Sequence, residues 1–343
     1  MRQYNAHKNE GNVLYEEEGM NRRLDLDSLL QGDSAKVLKG LPSRSIDLVV
    51  TSPPYADNRK EPYHGFPIDE YVTRFLPVSK ELKRVLKPEG SFILNIKERA
   101  TDGERQTYVL ELILALKKQG WFWIEEYVWC KSNCYPGKWP NRFRDSWERC
   151  LHFTLQKNFK MRQESVMVPV GDWAKTRLKN LSDTDRSRDE SRVGSGFGKN
   201  VSNWIGREMV YPSNVLHLAT ECANREHSAT FPVALPEWFI KLLTDEGDVV
   251  LDPFMGSGTT ARAAIGLNRH YVGVELSPKY YSLSQQAVGA ARTKIEERRN
   301  GNGHRRIGEQ DICEPERVPQ TPFAGCPEAA RVASTTAEEP IPV

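Results

Sequence analysis

Val249-Val250-Leu251-Asp252-Pro253-Phe254-Met255-Gly256-Ser257-Gly258-Thr259-Thr260 sets a tight glycine turn directly between a short apolar run and a stretch of helical periodicity. Gly256 and Gly258 carry no Cβ, so a ligand can approach the backbone of such a turn closely. The turn lacks a third glycine, with Ala261 at that position, and it lacks the Gly-Lys-Ser/Thr ending of a triphosphate loop. Dinucleotide and ATP sites are therefore disfavoured. A plain tight connection would carry the same glycines, so the flanks decide between the two readings. Glu275 follows Gly258 by 17 residues and ends the next apolar run, Tyr271 to Val274. A carboxylate at a strand end can accept both hydroxyls of a ribose, and glycine turn plus carboxylate is the logic of nucleoside binding.

Outward from that turn, the chain alternates short apolar runs with helical patterns, which predicts a wound α/β sheet. Ile46, Leu48, Val49 and Val50 predict a buried strand that runs into Thr51-Ser52-Pro53-Pro54-Tyr55, where two prolines forbid further pairing. A helix is predicted from Asp69 to Lys87, stopped by Pro88-Glu89-Gly90, and then a strand from Ser91 to Ile96. Val109, Leu112, Ile113 and Leu116 mark a second helix, and Trp121 to Trp129 reads as a strand. Further on, helices are predicted from Pro236 to Leu243 and from Thr260 to Leu267. A last helix starts at Ser277-Pro278, a cap followed by a first-turn proline.

The two loops carry a resemblance. Asp-Pro-Phe-Met-Gly-Ser-Gly-Thr-Thr is similar to the S-adenosylmethionine loop of the DNA amino methyltransferases, and Ser52-Pro53-Pro54-Tyr55 resembles that family's strand-end tetrad. The tetrad precedes the cofactor loop by 197 residues, an order similar to the circularly permuted beta group. The resemblance covers Leu29 to Gln286. It implies a Rossmann-like fold, with a mostly parallel seven-stranded sheet, helices on both faces and a small inserted target-recognition region.

It also implies an activity, transfer of a methyl group from S-adenosylmethionine to an exocyclic base nitrogen in a short duplex DNA sequence. Serine in the first tetrad position resembles the cytosine-N4-specific members, whereas aspartate there is typical of adenine-modifying ones; hydrogen-bond chemistry itself permits either base. None of the six cysteines follows a proline, so attack at cytosine carbon 5 is not expected. A catalytically silent DNA-binding protein and a nicotinamide dehydrogenase remain as readings of other classes.

Within that resemblance each site residue receives an expectation. Ser52 and the Pro53 carbonyl accept hydrogen bonds from the base amine, Pro54 stiffens the loop, and Tyr55 stacks on the extruded base. Asp33, in Gly32-Asp33-Ser34, resembles the acidic strand end that meets the cofactor adenine, and His227 lies in a segment similar to one near its methionine part. Asp252 is expected at the methionine amine, with Pro253, Phe254, Gly256, Gly258 and Thr259 lining the pocket and Glu275 on the ribose.

Trp129 to Arg162 holds eight Lys/Arg against two acidic residues, interleaved with aromatics. From it Lys131, Asn133, Lys138, Arg142 and Arg144 are expected on DNA. Cys130, Cys134, Cys150 and His152 have loose spacing for zinc, and no metal is expected. A cognate restriction endonuclease acting separately on the same site is the implied partner besides DNA; monomer and homodimer both stay open.

Composition agrees. Among 343 residues, 48 basic and 46 acidic side chains leave a net charge of +2, which alone names no partner. A 38% apolar content supports a sizeable core. No apolar run reaches a membrane span, no signal-like segment opens the chain, and six cysteines are too sparse for a disulfide scaffold, so a cytoplasmic protein is expected. The expected organisation is an N-terminal extension over 1–23, a catalytic half over 24–158, a target-recognition region over 159–215, a cofactor half over 216–299, and a disordered proline-rich tail over 300–343.

Overall fold

The computed structural model describes residues 6–9, 12–17, 20–57, 65–134, 141–180, 205–220 and 231–301. His227, Lys138 and the predicted tail beyond Gly301 lie outside them, as does the polar stretch over 181–204. Met1–Asn300 forms one compact unit.

Its centre is an eight-stranded sheet: β1 Ser28–Gln31, β2 Ile46–Thr51, β3 Leu86–Ile96, β4 Phe122–Lys131, β5 Trp147–Thr154, β6 Val215–Leu218, β7 Val249–Asp252 and β8 His270–Glu275. They lie in the order β6-β4-β5-β3-β2-β7-β8-β1. Five of the seven pairings are parallel, and only β5 runs against its neighbours β3 and β4. The first strand of the sheet thus pairs with the last, Glu275 opposite Gln31, so an N-terminal segment completes the cofactor half.

The strand beyond the seven expected is β6, whose four residues alternate between exposed and covered at the sheet edge. A run so short and so mixed gives no periodic signal. β3 also starts five residues before the predicted Ser91, because the helix stops at Val85 and Pro88-Glu89-Gly90 forms an irregular strand entry against β2.

All six residues of β2 are buried, as a strand covered on both faces requires. Val49, Phe92, Leu94, Leu251 and Val272 face one core, against α1 Tyr71–Val85 and α2 Tyr108–Lys118. Leu48, Val50, Ile93, Val250 and Tyr271 face the other, against α3 Ala234–Leu243 and α4 Thr259–Gly266. In α1 the buried set is Tyr71, Phe75, Val78, Ser79, Leu82 and Val85, the three- and four-residue spacing of one helix face. Ser79 stays inside because its hydroxyl accepts from Trp121 Nε1 at 2.8 Å and donates to Gln119 at 2.8 Å. In α5 Pro278–Gly301, Tyr280, Ser284 and Val288 form the covered face.

The segment expected as an N-terminal extension holds three strands. Strands Ala6–Asn9, Asn12–Glu17 and Met20–Asp25 pair antiparallel, and Val13 and Leu24 join the first core. Within the expected target-recognition region, Asp172–Lys179 is helical and Val168–Pro169 pairs with Met209–Val210.

Candidate active site

Parallel pairing aligns the chain exits of β1, β2, β3, β7 and β8 along one edge of the sheet. Asp33, Ser52, Pro253 and the residues after Glu275 therefore leave the sheet side by side. Ligands of open α/β sheets bind at this carboxyl edge. Because β5 is antiparallel, its beginning rather than its end reaches the same edge, bringing Trp147 and Glu148 there with the end of β4 at Lys131.

The cofactor-type loop is braced by Asp252. This 1% exposed carboxylate accepts from Thr51 Oγ1 at 2.6 Å, from Phe254 N at 3.0 Å and from Thr260 Oγ1 at 2.6 Å. The Thr51 bond joins the residue before the tetrad to the loop after β7, across 201 positions of sequence. Burial pushes the Asp252 carboxyl up to about 6, against the pull of its three donors. Ser34 adds a second tie by donating to the Pro253 carbonyl. Asp33 caps the one-turn helix Ser34–Val37, accepting from Lys36 N at 3.1 Å, and is itself exposed.

Gly256 and Gly258 both have positive φ, +56° and +89°, a conformation only glycine adopts without strain. At Gly258 a Cβ would stand 3.2 Å from the Ser284 Cα, so this position serves close packing of the turn on α5 as well as conformation. Thr259 is buried at the start of α4, and Phe254 stacks on Phe75 with centroids 6.3 Å apart.

Glu275 accepts from Gly256 N at 2.8 Å through one oxygen and from Ser277 N at 2.7 Å through the other. Each oxygen keeps a further lone pair. Beside it, Leu276 is 61% exposed, an apolar side chain at the mouth that sequence reasoning did not single out. A carboxylate with spare acceptor capacity, an apolar neighbour and a glycine turn form a donor and acceptor set that fits a nucleoside.

The tetrad has a partner that the sequence did not reveal. Tyr55 is half-buried, and its hydroxyl donates to Glu148 Oε2. Burial first, then the Glu148 charge, pushes the Tyr55 phenol well above its usual value. Pro54 accepts from Tyr71 Oη at 3.1 Å, which holds the loop to α1.

Most of the basic residues expected on DNA are bound within the protein. Lys131 pairs with Glu148 at 2.5 Å, and Asn133 exchanges hydrogen bonds with Thr220, at 2.6 Å from its backbone N–H. Arg142 pairs with Asp145 at 3.1 Å, and Arg144 donates to the Cys134 carbonyl at 3.1 Å. They brace a loop on which Phe143 is 94% exposed between the two arginines.

Comparison with known proteins gives a consistent answer. A DNA methylase family profile matches residues 46–286. The type II methyltransferase M.PvuII of Proteus hauseri is 31% identical over 280 residues, 75% of this chain and 82% of that protein. A solved PvuII DNA methyltransferase, described as cytosine-N4-specific, superposes with a TM-score of 0.56 at 25% identity, covering 80% of this chain and 93% of that one. A putative DNA modification methylase of Thermus thermophilus, solved in complex with S-adenosyl-L-methionine, shares the fold with a TM-score of 0.51 at 23% identity. It covers 77% of this chain and 93% of that one.

Proposed function

The chain belongs to the N6/N4 DNA methylase family, and from that premise we propose that it transfers a methyl group from S-adenosylmethionine to the N4 amino nitrogen of cytosine in a short duplex sequence. The observation that carries this reading is the side-by-side exit of the Ser52 tetrad and the Gly256 turn from neighbouring strands, buckled together by Thr51 and Asp252. A solved relative described as cytosine-N4-specific supports the choice of base.

S-adenosylmethionine supplies an electrophilic methyl group on a sulfonium. Glu275 would accept the ribose hydroxyls, the exposed Leu276 would offer an apolar surface to the adenine, and Asp33 at the neighbouring strand end would take the adenine amine. Pro253, Phe254, Gly256, Gly258 and Thr259 shape the methionine end, with Asp252 holding that loop in register. His227 belongs to the same pocket by its resemblance.

The base amine is a poor nucleophile because its lone pair is delocalised into the ring. Ser52 Oγ and the Pro53 carbonyl accept its two hydrogens, which favours a pyramidal nitrogen whose lone pair faces the methyl carbon. Pro54 keeps the loop rigid, and Tyr55 offers a ring face to the base once it has left the duplex. Arg142, Arg144 and, from its place in the sequence, Lys138 are assigned to the phosphates, while Lys131 and Asn133 act by bracing the loop.

Two further expectations follow. A restriction endonuclease reading the same sequence is the separate partner of such an enzyme, which acts in the cytoplasm; no helix of the described residues is long and apolar enough to cross a membrane. The test is single-turnover transfer of a labelled methyl group to duplex DNA. Ser52→Ala should slow it roughly tenfold or more while cofactor affinity stays put, as loss of one transition-state hydrogen bond requires. A Ser52→Ala enzyme as fast as the wild type removes the tetrad from the mechanism.

A further inference from the structure

Phe143 is the most exposed large apolar side chain among the described residues, at 94%, ahead of Leu276 at 61%. A bare phenyl ring in water gives the fold nothing, since burial is what makes an apolar side chain stabilising. Yet the residues around it are held firmly. Two positions before it, Asn141 lies against the Gly103 turn, where a Cβ would come 2.7 Å from its amide nitrogen. Two positions after it, Asp145 pairs with Arg105 at 2.6 Å, with Lys97 at 3.4 Å and with Arg142 at 3.1 Å, and its carbonyl takes the Cys134 thiol at 3.2 Å. Arg144 closes the loop on the Cys134 carbonyl.

The loop stands at the catalytic edge. Lys97 follows the last residue of β3, and its ammonium also holds the Trp147 carbonyl at 2.9 Å, at the start of β5. Phe143 precedes Glu148, the residue to which Tyr55 donates, by five positions. Five residues of chain span at most about 18 Å, and successive bases of a strand are about 3.4 Å apart. The Phe143 backbone therefore stays within a few base steps of the tetrad on any duplex that the tetrad engages.

A phenyl ring has no atom with which to hold a phosphate, but its faces match those of a base. Arg142 and Arg144 bring positive charge to the same loop, which suits a polyanion better than an apolar protein surface. When a base leaves the duplex, its neighbours above and below lose a stacking partner, and an inserted apolar side chain can take that place. We propose that Phe143 is a wedge whose ring enters the duplex and fills the stacking position that the extruded base vacates. The inference rests on the base-flipping transfer proposed above. Tyr55 holds the extruded base, and Phe143 keeps its old place closed to it.

The test is methyl transfer by the full-length protein, read as the single-turnover rate divided by the DNA dissociation constant, so that lost flipping counts wherever it appears. Two substrates are compared: a fully paired duplex, and the same duplex with an abasic site opposite the target base, which removes the pairing that the wedge competes with. Phe143→Ala should lose about tenfold or more on the paired duplex, the size of one base–aromatic stack, and stay within about threefold of wild type on the abasic one. Phe143→Trp restores a flat ring and should stay within about threefold on both. Phe143→Lys adds charge for phosphate but no ring face, and should be as slow as alanine on the paired duplex. An exposed side chain contributes little to stability, so all three variants should melt close to wild type.

Wild-type efficiency of Phe143→Ala on the paired duplex overturns the proposal, as does rescue by lysine. An equal loss on both duplexes also overturns it, because the ring would then be an ordinary DNA contact. So does a change of oligomeric state in sedimentation, which would give the ring to a second copy of this chain. The wild type judges the underlying activity separately. If it transfers methyl groups while Phe143→Ala is indifferent, the wedge alone falls; if it transfers to neither duplex, the reading of the activity falls and the wedge with it.

Discussion

Replacing Asp252 with asparagine should change how the stability of the protein depends on pH by a predictable amount. The carboxyl is 1% exposed, and burial raises it from 3.8 to about 6 despite hydrogen bonds from Thr51, Thr260 and Phe254. Each factor of ten in proton affinity is worth about 1.4 kcal/mol, so ionising Asp252 costs about 3 kcal/mol more in the folded protein than in the unfolded chain. Between pH 4 and 6 the folded state then binds more protons at this site than the unfolded state does. Its contribution to stability accordingly falls as pH rises through that window, and is nearly gone by about pH 7. Asparagine has no such dependence.

Urea unfolding of both proteins at pH 4, 5, 6 and 7 isolates the effect, because other titrating groups cancel in the difference. The wild type should gain on the variant by about 2 kcal/mol in going from pH 7 to pH 4, most of the full difference. A difference that stays flat, or that runs the other way, refutes the placement of Asp252 as a dehydrated carboxylate between the two loops. The carboxylate persists at a position where it weakens the fold, consistent with a part in holding the loops at neutral pH.

Gly258→Ala should destabilise the protein by roughly 1–3 kcal/mol, since alanine at φ +89° is strained and its Cβ meets the Ser284 backbone at 3.2 Å; urea unfolding measures it. Gly256→Val, at φ +56° on the turn that donates to Glu275, should weaken S-adenosylmethionine binding at least tenfold in calorimetry, and unchanged affinity in a folded variant would misplace the pocket. A chain ending at Gly301 should keep methyl transfer, because the compact unit closes at Asn300; a folded but inactive truncation would assign the tail a role in DNA or subunit contact.

How much of this was legible in the sequence depends on the range of the interactions involved. The strands ending at Thr51, Asp252 and Glu275 announce themselves because apolar runs meet proline, glycine or acid within a few residues, and parallel pairing then aligns their exits. The helix Tyr71–Val85 shows in its own periodicity, two residues shorter at each end than the pattern suggested. Strand β6 gives no such signal, since its pairing with β4 and not its composition makes it a strand. Glu148 was out of reach for a different reason. Its partner Tyr55 is 93 residues away, and only the reversal of β5 carries it to the carboxyl edge. Lys131, Asn133, Arg142 and Arg144 also have partners within the protein, Glu148, Thr220, Asp145 and Cys134, which a reading of local composition does not include. Gly258 was read as a place for ligand approach, while its neighbour Ser284 lies on the last helix.

The central claim is chemical, and one measurement addresses it directly. Duplex DNA containing the recognition sequence, methylated by the protein from labelled S-adenosylmethionine and digested to nucleosides, should carry all of the label as 4-methylcytosine. Label recovered as 6-methyladenine would contradict the assignment of the base, and unlabelled DNA from folded, cofactor-bound protein would contradict the assignment of the activity.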